Sequence, residues 1–267
     1  RQGLVCAACH LRERVVYGPP RRDTTLDLNE LPHGGFQERD AFADSRFCAA
    51  CHQFDADGFT LNGKLLENTF EEWRVSPQAE AGMSCHSCHM PDRRHLWRGI
   101  HDRDTVLSGV TIELSPMDAD SGRVGGTLRL TNSGTGHRFP TYVTPRVVLE
   151  AVQLDSNREP IEQTKQERVV ARDVRLDLSK ENFDTRLAPG ESMVLNYAKD
   201  KHPQARFMRF DIRVEPDRFY RTFYRSLLQD GSEGKGREFL QTALRKSERS
   251  DYLLYRQIVT LEAESKE

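Results

Sequence analysis

All six cysteines of the chain belong to one short pattern, Cys-x-x-Cys-His, that occurs three times. The three units are Cys6/Cys9/His10, Cys48/Cys51/His52 and Cys85/Cys88/His89. In such a unit, two thiols on one turn of chain can add to the two vinyl groups of a haem, and the next residue presents its imidazole to one face of the iron. The pattern therefore predicts three covalently attached haem c groups, with His10, His52 and His89 as the proximal iron ligands.

Two other uses of cysteine match the pattern less well. A four-ligand zinc site would consume two CxxC pairs at a time, which leaves one of the three units over. Zinc also gives no reason for a histidine directly after every second cysteine. Disulfide frameworks belong mainly to small secreted domains, whereas this chain has 267 residues. Haem attachment is thus the chemistry that the spacing favours.

Six of the nine histidines remain after the three proximal ligands are assigned. His86 lies between the two cysteines of its own unit, and His202 lies in a polar turn, so we expect neither to bind iron. Met83 and Met90 are too close to the third unit to reach the far face of its haem. Bis-histidine ligation and low reduction potentials are therefore expected. The candidates for the distal ligands are His33, His95, His101 and His137.

The segment 85–102 carries its own proximal ligand together with His95 and His101. These two histidines are six residues apart, which is not a same-face helical spacing, and so short a tether restricts access to the far face of the third haem. We expect them to reach the other irons. His33 lies in a glycine-flanked loop between two units, and His137 lies in the later part of the chain, where a structural turn role is the alternative. Four candidates for three irons leave one surplus, and His95 is the first that we would release.

Arginines also cluster around the third unit. The guanidinium fork suits carboxylates, so these side chains are candidates for pairing with haem propionates. An ordinary solvated surface explains each of them singly just as well. The four residues are Arg93, Arg94, Arg98 and Arg103.

Length and composition limit the class of protein. A chain of 267 residues is long enough for about two domains, and its formal net charge is −2 before haem propionates are counted. Basic residues are interspersed with acidic ones, so no nucleic-acid surface is expected. No apolar run approaches the about 20 residues of a transmembrane helix. Because haem c is attached outside the cytoplasm and no signal peptide is visible, we expect an exported, periplasmic or extracellular protein whose signal has been removed.

Residues 1–104 are rich in cysteine, histidine and turn residues, and their hydrophobic periodicity is weak. One helix is predicted at residues 63–82, ending near Pro77. So little ordinary apolar sequence cannot form a core alone, whereas three buried porphyrins would supply the missing apolar surface. We therefore predict an irregular, mostly α/coil trihaem cytochrome c domain over this range.

Residues 105–267 have a different pattern. Six alternating or β-branched runs, from "GVTIELS" to "RFMRFDIRVEP", are bounded by Gly, Pro, Asn and Asp. Such runs predict an all-β, immunoglobulin-like sandwich of about seven antiparallel strands. Helical spacing at about 217–249 predicts a helical insertion, and "YLLYRQIVTLEA" predicts a last strand that returns to the sheet.

A resemblance to exported multihaem c-type cytochromes is carried by "CAACHLRERVVYGPP", "SRFCAACHQF", "NGKLLENTFEEWRVSP", "CHSCHMPDRRHLWRGIHD" and "NSGTGHRFPT". The family's haem packing is related to that of cytochrome c554-like tetrahaem carriers of ammonia oxidisers and of pentahaem nitrite reductases. The resemblance implies closely packed haems, bis-histidine ligation and a C-terminal immunoglobulin-like domain whose GHxxPT histidine, here His137, approaches a haem. Similar proteins often carry a further CxxCH upstream, which these 267 residues lack. His137 is therefore our preferred distal ligand.

Electron transfer between redox partners outside the cytoplasm is the function that these features predict. Haems with both axial positions filled cannot bind a substrate, and the chain has enough histidines to fill them. The alternative is an oxidoreductase or peroxidase that acts on a small nitrogen or sulfur species at a haem with an open axial site, although no CxxCK unit is present. The later, β-rich segment could also serve as a docking module. Expected partners are other redox proteins, further haem subunits or a second copy of the chain.

Overall fold

A computed structural model describes residues 5–25, 27, 30, 34–120, 122–231 and 234–261, except the side chains of residues 116–120. The α-helices in this part of the chain are α1 (Cys6–His10), α2 (Arg46–His52), α3 (Thr69–Arg74), α4 (Pro77–Glu80), α5 (Cys85–His89), α6 (Arg103–Gly109), α7 (Arg218–Asp230) and α8 (Arg237–Glu248). Short 3₁₀ helices lie at Asp40–Ala43, Pro91–Arg93, Glu162–Thr164 and Gly234–Gly236. The strands are β1 (Leu11–Arg12), β2 (Val15–Gly18), β3 (Gln37–Glu38), β4 (Thr60–Leu61), β5 (Lys64–Leu65), β6 (Val110–Asp120), β7 (Arg123–Asn132), β8 (Arg146–Leu154), β9 (Gln166–Val170), β10 (Arg172–Val174), β11 (Glu181–Asp184), β12 (Ser192–Asp200), β13 (Phe207–Glu215) and β14 (Tyr252–Thr260).

The described strands form five sheets. Two small sheets, β1–β2–β3 and β4–β5, lie in the first part of the chain. The later part contains the pair β10–β11, a three-stranded sheet in the order β12–β7–β6 and a four-stranded sheet in the order β14–β13–β8–β9. Neighbouring strands are antiparallel except β2 and β3, which are parallel.

This architecture corrects the predicted fold class. The prediction joined an irregular, mostly α/coil domain to an all-β sandwich of immunoglobulin type, and it is wrong. Strands and sheets run through the whole chain, including residues 11–65, where we expected only helix and coil. Helices, conversely, occur in both parts, and those in the described residues before 103 have at most seven residues.

Two tight turns explain the strands that the prediction missed. Glu13 and Arg14 both have positive φ, 48° and 68°, and connect β1 to β2. Asn62 and Gly63, with φ of 53° and 71°, connect β4 to β5. Positive φ at both central residues defines the type I′ hairpin turn, for which Asn-Gly is a favoured sequence. The second hairpin was therefore visible in the sequence, whereas Glu-Arg gives no such signal.

The helix predicted at residues 63–82 is a strand followed by two short helices. Its first residues form β5, and the helical part is divided into α3 and α4 at Ser76 and Pro77. Proline has no N–H to donate and a fixed φ, so it begins a helix more readily than it continues one. Ser76 caps α4, because its hydroxyl accepts from the Ala79 N–H at 3.2 Å. Pro77 thus marks the break that the sequence suggested, but as a helix start.

One hydrophobic core lies between the three-stranded and four-stranded sheets. Leu128 and Leu130 on β7, and Phe210 and Ile212 on β13, are fully buried and belong to the same cluster. Alternate residues of a strand point to one face, so each of these strands supplies the core at every second position. A side chain buried in this way contributes about 1.5–3 kcal/mol. After α7 and α8 the chain returns as β14 and pairs with β13 along its length.

The first part of the chain has almost no core of its own. Among the described residues before 104, Leu61 is the one large hydrophobic side chain that is buried, at 6% exposure. Large apolar side chains are instead exposed to solvent there, at Val5, Leu11, Phe54, Phe59, Val75, Met83 and Trp97. Exposed apolar surface of this kind is typical of a binding site for an apolar group or partner.

Helix α6 connects the two parts of the chain. Asp102 caps its first turn through a 2.9 Å hydrogen bond from a main-chain N–H, and Val106 enters the core of the later sheets. Arg103 donates to the main-chain oxygens of Leu253 and Leu254 on β14. The predicted domain boundary thus falls inside a helix that is packed on the sheet, and the division into two domains stays a prediction.

Arg172 fastens the β4–β5 hairpin to the later part of the chain. Its guanidinium donates to the main-chain oxygens of Leu61, Lys64 and Leu65 at 3.2, 3.2 and 2.7 Å. It also forms an ion pair of 2.8 Å with Glu181, and its side chain is only 1% exposed. Buried groups of this kind stabilise a structure only as a complete set, because the loss of one partner leaves the others unpaired.

We predict that Arg172→Met lowers the free energy of unfolding by about 3–5 kcal/mol, because it leaves Glu181 and three carbonyl groups buried without this donor. Guanidinium titration followed by far-ultraviolet circular dichroism measures the change. Arg175→Met is the matched control: Arg175 is exposed and contacts Asp177 at 3.5 Å, so its loss should cost less than about 1 kcal/mol. Equal effects of the two substitutions would show that the Arg172 contacts with the β4–β5 hairpin do not stabilise the fold.

Candidate functional site

Each CxxCH unit forms a short helix. The units are the whole of α1, the C-terminal half of α2 and the whole of α5. Residues three apart lie on the same face of a helix, so the two thiols of a unit point the same way and the histidine follows at the end of the turn. All six cysteines are free thiols, and each is at least partly exposed. The two thiols of one unit can therefore both bond to the same flat apolar group.

The three units lie next to one another. The Cys48 thiol of the second unit is hydrogen-bonded to Cys85 of the third, which raises the pKa of Cys48 and lowers that of Cys85. Cys9 of the first unit is also close enough to raise the pKa of Cys48 electrostatically. The Cys85 main-chain N–H donates to the hydroxyl of Ser45, just before α2, at 3.1 Å. Groups attached to these cysteines would therefore be neighbours.

A hydrogen bond fixes the ring of each candidate proximal histidine. His10 Nδ1 donates to the Tyr17 carbonyl oxygen at 2.7 Å, and His89 Nδ1 donates to that of Arg98 at 2.6 Å. His52 Nδ1 is hydrogen-bonded to the hydroxyl of Tyr142. When Nδ1 carries the proton, the lone pair of Nε2 is free to bind a metal. The carbonyl acceptors hold the rings of His10 and His89 in the tautomer that a ligand requires, and the Tyr142 hydroxyl can accept from His52 in the same way.

Two pairs of imidazoles stand at a separation that suits one metal between them. The ring centroids of His10 and His95 are 5.8 Å apart, with an interplanar angle of 57°. Those of His89 and His137 are 6.3 Å apart, with an angle of 16°. An imidazole nitrogen binds a metal at about 2.0–2.1 Å, the value for zinc, so two rings on opposite faces of one metal have centres roughly 6 Å apart. Both pairs fit bis-histidine ligation.

His137 belongs to the later part of the chain but lies against the CxxCH helices. Its Nδ1 donates to the carbonyl of Arg138 at 2.9 Å. Burial is the main reason that its pKa is lowered to about 4, and the nearby His89 and His52 act in the same direction. The ring is therefore neutral at physiological pH, which is the form that binds a metal.

Glycine lets the His137 loop approach the first part of the chain. A Cβ at Gly136 would lie 2.9 Å from Ser76 Oγ and 2.9 Å from Trp73 Cδ1. Contacts this short are not tolerated, so only glycine allows the loop to pack here. On the other side, Asn132 donates to the His137 carbonyl at 2.9 Å. The loop is held between α3, α4 and β7.

The remaining distal candidates differ from these pairs. His101 is exposed, and its Nε2 lies 3.1 Å from a carboxylate oxygen of Asp217 rather than near another imidazole. His33 lies outside the described residues. His95, which the sequence ranked first for release, is the imidazole that the structure brings to His10. The proximal and distal assignments themselves stay predictions.

The four arginines proposed for propionates all have protein partners as well. Arg93 donates to the Pro20 carbonyl at 2.7 Å and Arg94 to that of Pro91 at 3.4 Å, Arg98 lies 3.5 Å from Asp102, and Arg103 binds the main chain of β14. Arg103 therefore has a structural role. The side chains of Arg98 and Arg103 are about half exposed, at 52% and 54%, so pairing with a carboxylate stays a prediction for them.

A haem fits this donor set better than a bare metal ion does. Within the described part of the chain, no three His, Cys, Asp or Glu side chains converge as a zinc site requires. A haem instead needs two thiols, one or two imidazoles and apolar surroundings. The CxxCH helices, the imidazole pairs and the exposed apolar side chains of the first part supply these features.

Two residues of the site were not identified from the sequence. Tyr142 contacts His52 across the two parts of the chain, and Asp217 contacts His101. Their positions depend on how the later sheets pack against residues 45–102. No spacing pattern links either of them to a CxxCH unit, so the sequence held no signal for them.

Comparison with known proteins supports the fold. No family model matches the chain, and no curated protein matches it in sequence. Among solved structures, the chain is similar to a penta-heme cytochrome c552 from Thermochromatium tepidum, with 17% identity and a TM-score of 0.64 over 92% of this chain and 68% of that one. A protein described as ApaA from Bordetella pertussis has 16% identity and a TM-score of 0.20 over 39% of this chain, too low to support any argument. The first match shows a shared fold.

We predict that His137→Ala converts one low-spin ferric haem to high-spin, because it removes the imidazole that faces His89, while the haem count stays the same. Electron paramagnetic resonance and the pyridine haemochrome assay measure the two quantities. His202→Ala is the control, since His202 contacts Gln163 at 3.1 Å, away from the CxxCH helices. An unchanged spectrum in the His137 variant would exclude it as a ligand.

Proposed function

We propose that this chain is an exported multihaem c-type cytochrome that carries three covalently attached haem c groups and relays electrons between redox partners. The observation that carries the proposal is the convergence of three CxxCH helices. The His10 ring stacks on Phe42, which contacts Phe47 on α2, and the Cys85 N–H donates to Ser45 just before α2. Electron transfer between cofactors falls steeply with distance, so neighbouring attachment sites are what a relay needs. The shared fold with a penta-heme cytochrome c552 is consistent with this function.

The geometry of the site supports one ligand set for each haem. The first haem would be held by Cys6 and Cys9, with His10 and His95 as axial ligands, and the third by Cys85 and Cys88, with His89 and His137. The second would be held by Cys48 and Cys51, with His52 on one face and His33 as the remaining candidate for the other. When bound, each haem supplies a one-electron couple.

The protein's own contribution is to hold the ligands still. The Nδ1 hydrogen bonds of His10, His52 and His89 orient each ring, and the carbonyl acceptors of His10 and His89 also fix the tautomer. A ligand set that is already in place changes little when an electron arrives or leaves. Bis-histidine ligation also lowers the reduction potential relative to His/Met ligation, so the relay would operate at low potential.

The haems would also complete the first part of the chain. Its described residues before 104 bury one hydrophobic side chain and expose several large ones. Porphyrin rings packed among these side chains would remove apolar surface from water, at about 25 cal/mol for each Å². The cofactor would thus serve as the core of this segment as well as its redox centre.

Partners and location follow from the same chemistry. Haem c is attached outside the cytoplasm, so we propose a periplasmic or extracellular protein. Other redox proteins, further haem subunits or a second copy of the chain would exchange electrons with it. None of the helices in the described residues has the length and apolar character needed to cross a bilayer.

One observation favours a second function, redox catalysis on a small nitrogen or sulfur species. In the part of the chain that the structure describes, the ring beside His52 is that of Tyr142, and no second imidazole forms a ring pair with His52. A haem at this unit would have an open axial position if His33 does not reach it. An open position is the requirement for substrate binding at iron.

The test of the relay uses the protein expressed with its haem-attachment machinery. We expect intact mass and the pyridine haemochrome assay to give three haems per chain, and electron paramagnetic resonance to show only low-spin ferric haem. A haem-free protein would contradict the cytochrome assignment. A stable high-spin signal that shifts on addition of nitrite, hydroxylamine or peroxide would favour the catalytic alternative.

A further prediction separates two neighbouring histidines. His95→Ala should produce a high-spin signal from one haem, because His95 is the imidazole beside His10. His101→Ala should leave every haem low-spin, because its Nε2 faces the carboxylate of Asp217. Electron paramagnetic resonance of the two variants at equal haem content gives the answer. The reverse result would show that His101, and not His95, is the ligand.

A further inference from the structure

The three candidate proximal histidines are not anchored alike. His10 and His89 donate from Nδ1 to main-chain carbonyl oxygens that lie within ten residues of them in the sequence. His52 is hydrogen-bonded to a side chain, the hydroxyl of Tyr142, which lies 90 residues further along the chain. A main-chain carbonyl group is present whatever the residue type, whereas a side-chain acceptor depends on which residue the sequence has at that position. The hydrogen-bond partner of His52 can therefore be changed by substitution, unlike those of His10 and His89.

Tyr142 is itself part of a short network. Its hydroxyl lies close to the carboxyl group of Glu67 and to the side chain of Thr69. The Thr69 hydroxyl also donates to Glu67 at 2.8 Å. If Nε2 binds iron, Nδ1 carries the proton, so His52 would donate to the phenol oxygen and the phenol O–H would be free to donate to a neighbouring acceptor. The nearby carboxyl group of Glu67 is an ionisable acceptor, whereas His10 and His89 donate to main-chain carbonyl groups.

The position of Tyr142 is fixed by the residue before it. The Thr141 carbonyl accepts from the buried guanidinium of Arg186 at 2.7 Å, and the Thr141 hydroxyl is hydrogen-bonded to that of Thr69 at 2.7 Å. Arg186 in turn is bound to Asp184 at 2.9 Å. These contacts of Thr141 hold the neighbouring Tyr142 side chain beside His52.

We propose that Tyr142 is a positioning residue which acts through His52 to set the reduction potential of the second haem. The proposal rests on the function proposed above. Hydrogen bonding at the far nitrogen of a ligating imidazole raises its basicity and is one of the means by which a protein tunes its metal. A phenol that donates to Glu67 is a better acceptor for the imidazole N–H than a phenol alone, because hydrogen bonds in a chain polarise one another. The network therefore stabilises the ferric state and lowers the potential of this haem.

Tyr142→Phe tests the proposal. The ring is retained and only the hydroxyl is lost, so His52 should keep its place with a weaker acceptor. We expect a redox titration followed by optical absorption to show an upward shift of the midpoint potential of one haem, with the potentials of the other two unchanged. Electron paramagnetic resonance should show that the same haem stays low-spin, whereas a purely structural effect that displaced His52 would give a high-spin signal.

Two further variants make the experiment decisive. Glu67→Gln keeps the phenol and replaces the carboxyl group by a weaker acceptor, so it should shift the same haem in the same direction by a smaller amount. Tyr255→Phe is the matched control, because it removes a hydroxyl from a partly buried tyrosine on β14, which carries none of the candidate ligands. It should shift no haem.

The outcomes separate this inference from the proposed function. If the unmodified protein carries no haem, the proposed function fails and the inference fails with it. If three haems are present and neither Tyr142→Phe nor Glu67→Gln shifts a potential, the inference alone is overturned. Equal shifts in Tyr142→Phe and Tyr255→Phe would also overturn it. Should Tyr142→Phe fail to load the second haem, Glu67→Gln decides the matter by its shift or lack of one.

Discussion

The hydrogen bond at Nδ1 of four candidate ligand histidines is the interaction on which the site depends. An imidazole can present its lone pair to a metal only if the other nitrogen keeps the proton, and a fixed acceptor enforces that choice. His10, His89 and His137 find such acceptors in main-chain carbonyl groups, and His52 finds one in Tyr142. The surrounding elements therefore have to position the acceptor oxygen atoms as accurately as the imidazole rings.

The later part of the chain positions side chains and segments of the first part. It contributes His137 to the third unit and Tyr142 to the second, and it binds the β4–β5 hairpin through Arg172. Its own stability comes from the core shared by the three-stranded and four-stranded sheets, which does not involve the CxxCH helices. Because the later part has a core of its own, it can hold side chains in place for a segment that lacks one. The two parts are accordingly joined by hydrogen bonds and ion pairs.

The first part of the chain is built from short elements. Its described helices have at most seven residues and its described strands at most four, too short to bury much apolar surface. Large hydrophobic side chains stay exposed there. In an ordinary domain this pattern would be unfavourable, because apolar burial is the main source of stability. With haem bonded to the thiols, the same side chains would face porphyrin and not water.

The sequence by itself determined the chemistry that is local. The CxxCH spacing, the break at Pro77, the strands β6, β7, β8, β12, β13 and β14, and the Asn-Gly hairpin signal all depend on residues within a few positions of one another. Only the tertiary structure decided which imidazoles meet: that His95 lies beside His10, that His101 lies beside Asp217, and that Tyr142 reaches His52. It also overturned the predicted fold class, because the small N-terminal sheets depend on turns such as Glu13-Arg14 that have no sequence signal. Local patterns depend on neighbouring residues and can be recognised in the sequence. A contact between residues 90 positions apart, such as that of His52 with Tyr142, depends on how whole sheets pack.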